Sequence, residues 1–179
     1  MLDMIDLAET IRTIPDYPKP GILFRDVTTL MGHPSAFEKA VDEMAAPWRE
    51  TVVNQVVGIE ARGFVLGGAL AVALKAGFIP MRKPGKLPFD TISEDYELEY
   101  GTDALHMHVD AIDKDARVII VDDLIATGGT ALAAIRLARR ANAKILGASF
   151  LIDLPDLGGA DHLRNENIKV NTLLSFEGH

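Results

Sequence analysis

Residues 118–130 read Val118-Ile119-Ile120-Val121-Asp122-Asp123-Leu124-Ile125-Ala126-Thr127-Gly128-Gly129-Thr130. The β-branched run that opens this stretch marks a strand buried on both faces, as in a parallel sheet. That strand hands two carboxylates and a Thr-Gly-Gly-Thr loop to a helix over 130–141, the place where open α/β sheets bind ligands. Glycines let backbone N–H groups approach an anion, Thr127 and Thr130 add hydroxyls, and a helix N-terminus adds partial positive charge, so the loop suits a phosphate. Two aspartates just before it would repel that phosphate unless they faced another part of the same ligand. Sugar hydroxyls donate hydrogen bonds to carboxylates and lie close to a 5′-phosphate, so the run describes a sugar-phosphate site. A tight turn at Gly128-Gly129 with helix-capping aspartates explains the pairs separately but not the run as a whole.

Working outward, the same rhythm repeats. Residues 52–59 form a nearly continuous apolar strand ending at Glu60-Ala61-Arg62-Gly63, followed by a Gly- and Ala-rich helix over 64–76 and a short strand over 78–81. Downstream, 144–152 and 168–176 read as further strands. Alternating strand and helix predicts a doubly wound α/β fold, with a mainly parallel central sheet and helices on both faces. Upstream, 34–48 reads as a helix with Pro34 in its first turn and Pro47 bending its end. The spacing of Leu2, Ile5, Ile11 and Ile14 predicts an amphipathic helix over 3–14, ended by Pro15. The proline-rich stretch 15–21 is a stiff loop leading to an apolar turn at Ile22-Leu23-Phe24. Residues 83–110 break the rhythm and read as a mobile loop rising into a β-hairpin; loops this long in a compact domain are usually functional.

The chain has 179 residues, suited to a single domain spanning 1–179, and its 48% hydrophobic content supplies a core. Lys and Arg total 18 against 26 Asp and Glu, a net charge of −8 that argues against general binding to nucleic acid or anionic membranes. There is no cysteine, which excludes disulfides, thiolate metal sites and cysteine nucleophiles and makes a reducing cytoplasm the expectation. The start of the chain lacks a basic signal-peptide region, and the longest apolar stretch, 63–74, is too short to span a bilayer. No Lys follows the glycines as in a Walker A loop, and no Gly-x-Gly-x-x-Gly fingerprint occurs.

The run over 118–130 resembles the phosphoribosyl-pyrophosphate (PRPP) signature of the type I phosphoribosyltransferases, and is similar to those members that take adenine. Three more motifs follow the family pattern in order. Pro20 to Asp26 corresponds to a base-binding segment within an N-terminal hood over 1–33. Gly58-Ile59-Glu60-Ala61-Arg62-Gly63-Phe64 corresponds to the diphosphate turn, and Arg82 to Pro88 with Leu98-Glu99-Tyr100-Gly101 to a flexible catalytic loop over 82–101. Pro84, Phe89 and Met81 are the visible departures, and none removes a functional group.

The resemblance implies transfer of phosphoribosyl from PRPP to adenine, giving AMP and diphosphate, with Mg²⁺ carried by the substrate rather than by side chains, in a homodimer. It implies that Asp122 and Asp123 hold the ribose hydroxyls and that Ala126, Thr127, Gly128, Gly129 and Thr130 cradle the 5′-phosphate. Glu60, Ala61, Arg62, Arg82, Lys83 and Lys86 would take the diphosphate. The main chain of Leu23 and Arg25 would read adenine between the apolar walls of Phe24 and Leu124, with Glu99 as general base and Tyr100 orienting the base or the loop. Asp95, Tyr96 and Glu97 beside them could instead form a solvated hairpin face. Two alternatives stay open: a non-catalytic PRPP-sensing regulator, disfavoured by the acidic chain and its catalytic loop, and an enzyme for 6-oxopurines, disfavoured by the base-binding and Leu-Glu-Tyr-Gly motifs. His106-x-His108-x-Asp110 lacks the further ligands a zinc site needs, and His33 and His162 read as surface or capping residues.

Overall fold

The computed structural model describes residues 5–97 and 101–178. Leu98, Glu99 and Tyr100 lie outside the described residues, so the expected roles of Glu99 and Tyr100 have no geometry here. Five parallel strands form the central sheet in the order β4 (Gly77–Met81), β3 (Gln55–Ile59), β7 (Arg117–Ile125), β8 (Lys144–Asp153), β9 (Val170–Ser175). Two antiparallel pairs stand apart from it. They are β1 (Arg12–Pro15) with β2 (Leu23–Asp26), and the hairpin β5 (Thr91–Glu97) with β6 (Thr102–His108).

Period-2 alternation sorts the sheet's side chains onto two faces. Val57, Val118, Ile120 and Phe150 pack with α4 (Gly129–Arg140) and the short α5 (Gly159–Asn165). Val56, Ile119, Val121 and Leu151 pack with α2 (Pro34–Ala45) and α3 (Arg62–Leu74). Each large aliphatic side chain removed from water in this way contributes about 1.5–3 kcal/mol. The doubly wound expectation is met, and the crossovers locate the site. The chain leaves β3 through α3 towards one edge and β7 through α4 towards the other, so the order reverses between β3 and β7. A crevice opens where neighbouring strands diverge in this way, at their carboxyl ends.

The structure corrects the reading of 3–14 as a helix. Among the described residues this region forms a single 3₁₀ turn, Ala8–Thr10, and then β1, whose Ile14 pairs with Phe24. Local spacing could not weigh that cross-strand partner, and Thr13 and Ile14 are β-branched residues that accept a strand readily. The apolar turn at 22–24 likewise belongs mostly to β2. The strand that opens the run over 118–130 extends from Arg117 to Ile125, so both aspartates sit on it. The helix α5, seven residues long, is not among the elements the sequence pattern predicts. Pro34 opens α2 as expected, with His33 accepting from Ala36 N–H at 3.3 Å as its cap. His106 and His108 serve the hairpin, with His106 Nδ1 3.1 Å from Thr91 Oγ1 and His108 Nε2 accepting from Phe89 N–H.

Candidate active site

At the end of β7, Gly128 adopts φ +86°, open to glycine at little cost, and turns the chain so that α4 begins at Gly129. Ala126 to Thr130 therefore face the crevice with the N-terminus of a three-turn helix behind them. With Arg62, Asp122, Asp123 and Phe150 they line a cavity of about 230 Å³. A second cavity of about 620 Å³, mostly apolar, adjoins it and is lined by Leu23, Phe24, Arg25, Leu124, Leu154 and Leu157 among others. Arg62, Leu124, Ala126 and Thr127 line both, so the two form one bipartite site.

The loop rests on a support that sequence reading missed. Gly159 N–H donates to Ala126 O at 2.9 Å, and His162 Nδ1 lies 3.1 Å from Thr127 O. A carbonyl only accepts, so Nδ1 carries the proton in that contact. The start of α5 thus takes up two carbonyls of the loop over 126–130. The Gly158-Gly159 pair was the available signal.

Alternation along β7 sends the two aspartates different ways. Asp123, 6% exposed, pairs with Arg62 Nε from the start of α3. Asp122 sits against Gly63, and its Oδ1 accepts the Asp123 N–H at 2.8 Å. Burial, then the neighbouring Asp123 carboxylate, raises the Asp122 pKa well above the ordinary aspartate value. The sign follows directly: a raised native pKa makes ionised Asp122 a destabilising group at neutral pH, and the penalty disappears once both states are protonated. Asp122→Asn is therefore expected to raise Tm at pH 7, with the gain shrinking as pH falls from neutral towards the ordinary aspartate value and gone below about 4. Melts of both proteins between pH 3 and 7 check this, and a lower Tm for the variant at pH 7 contradicts it.

The basic residues also have partners. Arg82 pairs with Glu60 at 3.3 Å, and the same carboxylate accepts from Lys83 N–H at 2.9 Å. Burial works to raise the Glu60 pKa, but these bonds outweigh it and hold the group below its ordinary value. Lys83 Nζ binds Asp103 and the Tyr96 hydroxyl on the hairpin. Tyr96 is 7% exposed, so it is no part of a solvated face, whereas Asp95 and Glu97 are exposed. Lys86 is exposed, and its carbonyl accepts from Arg82 at 3.1 Å. Ala61 lies between the two pairs, with a cis peptide joining it to Glu60. On the apolar side, the Arg62 guanidinium lies 5.6 Å from the Phe24 ring, which meets Tyr17 edge-on at 5.2 Å. No group of three or more His, Asp or Glu among the described residues could hold a metal.

The sequence pattern of the phosphoribosyl transferase domain matches residues 32–171. An adenine phosphoribosyltransferase of Bradyrhizobium sp. strain BTAi1 is 59% identical over 98% of both chains. One from Azorhizobium caulinodans is 56% identical over the full length of both. Among solved structures, the adenine phosphoribosyltransferase of Thermoanaerobacter pseudethanolicus superposes with a TM-score of 0.90 at 41% identity, over 96% of this chain and 100% of that one. The enzyme of Saccharomyces cerevisiae, complexed with an imino-altritol bisphosphate and adenine, gives 0.87 at 40% identity, over 94% and 96%.

Proposed function

The chain belongs to the adenine phosphoribosyltransferases, and from that membership we propose how its residues carry out the family's reaction. The enzyme transfers the phosphoribosyl group of PRPP to adenine in purine salvage, giving AMP and diphosphate. The observation that carries the assignment is the bipartite cavity, whose polar end suits ribose 5-phosphate and whose apolar end suits a flat base.

The 5′-phosphate occupies the loop Ala126 to Thr130 and takes hydrogen bonds from its N–H groups and the Thr127 and Thr130 hydroxyls. Asp122 and Asp123 accept from the ribose hydroxyls. The base lies between Phe24 and Leu124. Leu23 and Arg25, two apart on β2, present main-chain groups along one strand edge that can read its polar rim. As the bond from the anomeric carbon to the diphosphate oxygen breaks, negative charge grows on the leaving group and positive charge on the sugar. Arg62, Arg82, Lys83 and Lys86 neutralise the leaving group, and Mg²⁺ enters as part of the PRPP substrate. Arg62, Arg82 and Lys83 are paired with Asp123, Glu60 and Asp103, so diphosphate binding exchanges one set of anionic partners for another.

Adenine N9 attacks the anomeric carbon, and the proton displaced from the imidazole ring passes to Glu99, with Tyr100 orienting the loop. Glu99→Gln is expected to retain PRPP binding and lose about a hundredfold in kcat, the usual worth of a general base. Unchanged turnover would remove Glu99 from this role. The whole assignment is tested by diphosphate release with PRPP, Mg²⁺ and each nucleobase separately. Turnover with adenine supports it, and preference for a 6-oxopurine overturns the base assignment.

The active species is a homodimer formed through α3. Val65 and Val72 are 47% and 80% exposed, lie seven apart on one helix face, and have Gly68 between them with open space beside it. This apolar strip suits a second copy of the same chain. Val72→Glu should convert a sedimenting dimer to monomer, and a monomeric, fully active wild type sinks the proposal. The sequence has no cysteine, as suits the reducing cytoplasm in which we place the enzyme; no helix among the described residues is long and apolar enough to cross a membrane.

A further inference from the structure

We infer that Phe176-Glu177-Gly178, the segment after β9, is a strap that positions β2 for base recognition; this deepens the adenine reading above and rests on it. Among the described residues β2 has β1 as its one strand partner. Two short strands are marginal on their own, so their position over the base cavity must be set from outside the pair.

The Arg25 side chain makes that connection. Its Nη1 donates to Thr13 Oγ1 at 2.7 Å on β1, and its Nη2 donates to Glu177 O at 3.3 Å. Its guanidinium carbon stands 4.4 Å from the centre of the Phe176 ring, within cation–π range. Nε is buried with no hydrogen-bond partner. A side chain free to swing into water would recover that bond, so the arrangement holds the guanidinium on the strap at a desolvation cost.

The strap is anchored in turn to the opposite wall of the cavity. Phe176 N–H donates to Asp153 O at the end of β8, at 3.1 Å. Gly178 N–H donates to Asp156 Oδ2 at 2.8 Å, in the turn between Leu154 and Leu157, which both line the base cavity. A Cβ built on Gly178 would lie 3.9 Å from Leu23 Cδ1, so the strap passes directly beside the other base-reading residue. The same three residues thus hold β2 on one side of the cavity and residues 154–157 on the other. None of these contacts involves the phosphate loop at 126–130.

Loosening the strap should widen the base end alone. Phe176→Ala removes the ring under Arg25 and is expected to raise KM for adenine about tenfold, the scale of a partly desolvated cation–π contact, with kcat and KM for PRPP within about twofold. Asp156→Asn, which weakens the Gly178 anchor from the other side without touching a core residue, should do the same to a smaller extent. Phe176→Tyr keeps the ring and should restore the adenine KM. Hydrogen exchange at residues 23–26, measured without any ligand, should speed up in Phe176→Ala and Asp156→Asn and not in Phe176→Tyr. Unchanged exchange in the first two, or KM values for adenine and PRPP that rise together, overturns the strap. Wild-type protein that fails to use adenine while exchange still responds overturns the adenine reading and leaves the strap standing as a structural tie.

Discussion

With Asp122 and Asp123 both changed to Asn, kcat/KM for PRPP is expected to fall about a thousandfold while KM for adenine changes less than about threefold. Each carboxylate accepts a sugar hydroxyl in a charge-assisted hydrogen bond worth about 1.5–3 kcal/mol, and each tenfold in rate corresponds to about 1.4 kcal/mol. An Asn can accept through its amide oxygen but supplies no charge to balance the positive sugar in the transition state. Asp123→Asn also removes the partner of Arg62, so a cooperative melt of the variant separates a lost ribose contact from a lost fold. Steady-state kinetics with each substrate varied separately, alongside a thermal melt, check the prediction. A fall shared equally between the two substrates would point to general disruption of the crevice and against a ribose role.

The second large effect lies outside every motif. Gly159→Ala would place a Cβ 2.3 Å from Ala126 O and 2.7 Å from Gly128 N, both backbone atoms of the phosphate loop. Neither can swivel aside as a side chain would, so the loop or α5 has to shift. A displacement of about 1 Å in a substrate-positioning element can cost about a hundredfold in rate, so kcat/KM for PRPP should drop by that order. Overpacking of this kind typically costs 1–3 kcal/mol, or a Tm lowered by about 3–10 °C in a chain of this size. Binding of ribose 5-phosphate, followed by calorimetry, should weaken in parallel, since the phosphate end is what moves. Wild-type affinity in the variant would mean that α5 does not support the loop.

The doubly wound sheet was legible because buried parallel strands declare themselves locally, as β-branched runs such as 118–121. The Asp-Asp and Thr-Gly-Gly-Thr run stood out for a similar reason, being carried by consecutive residues, and the structure brings those residues to one cavity. The start of the chain was misread: apolar spacing over 3–14 is helical, and the interaction that makes residues 12–15 a strand is with residues 23–26. Tyr96 could pass for a surface residue until its hydroxyl was found with Lys83 and Asp103, far apart in sequence and joined by the hairpin. The resting partners of the cations were equally hidden, because Arg62 meets Asp123 only where α3 and β7 converge.

The order of residues by itself determined the fold class and placed the Asp-Asp pair and the Thr-Gly-Gly-Thr run together at the end of one strand. Tertiary structure alone decided that the polar and apolar cavities share walls, that α5 meets the loop over 126–130, and that residues 176–178 contact both Arg25 and residues 153–156. The division follows from the range of the forces involved. Backbone conformation and burial pattern are written in neighbouring residues, whereas a hydrogen bond or a steric limit between positions such as Arg25 and Glu177 exists only after the sheet has brought them together.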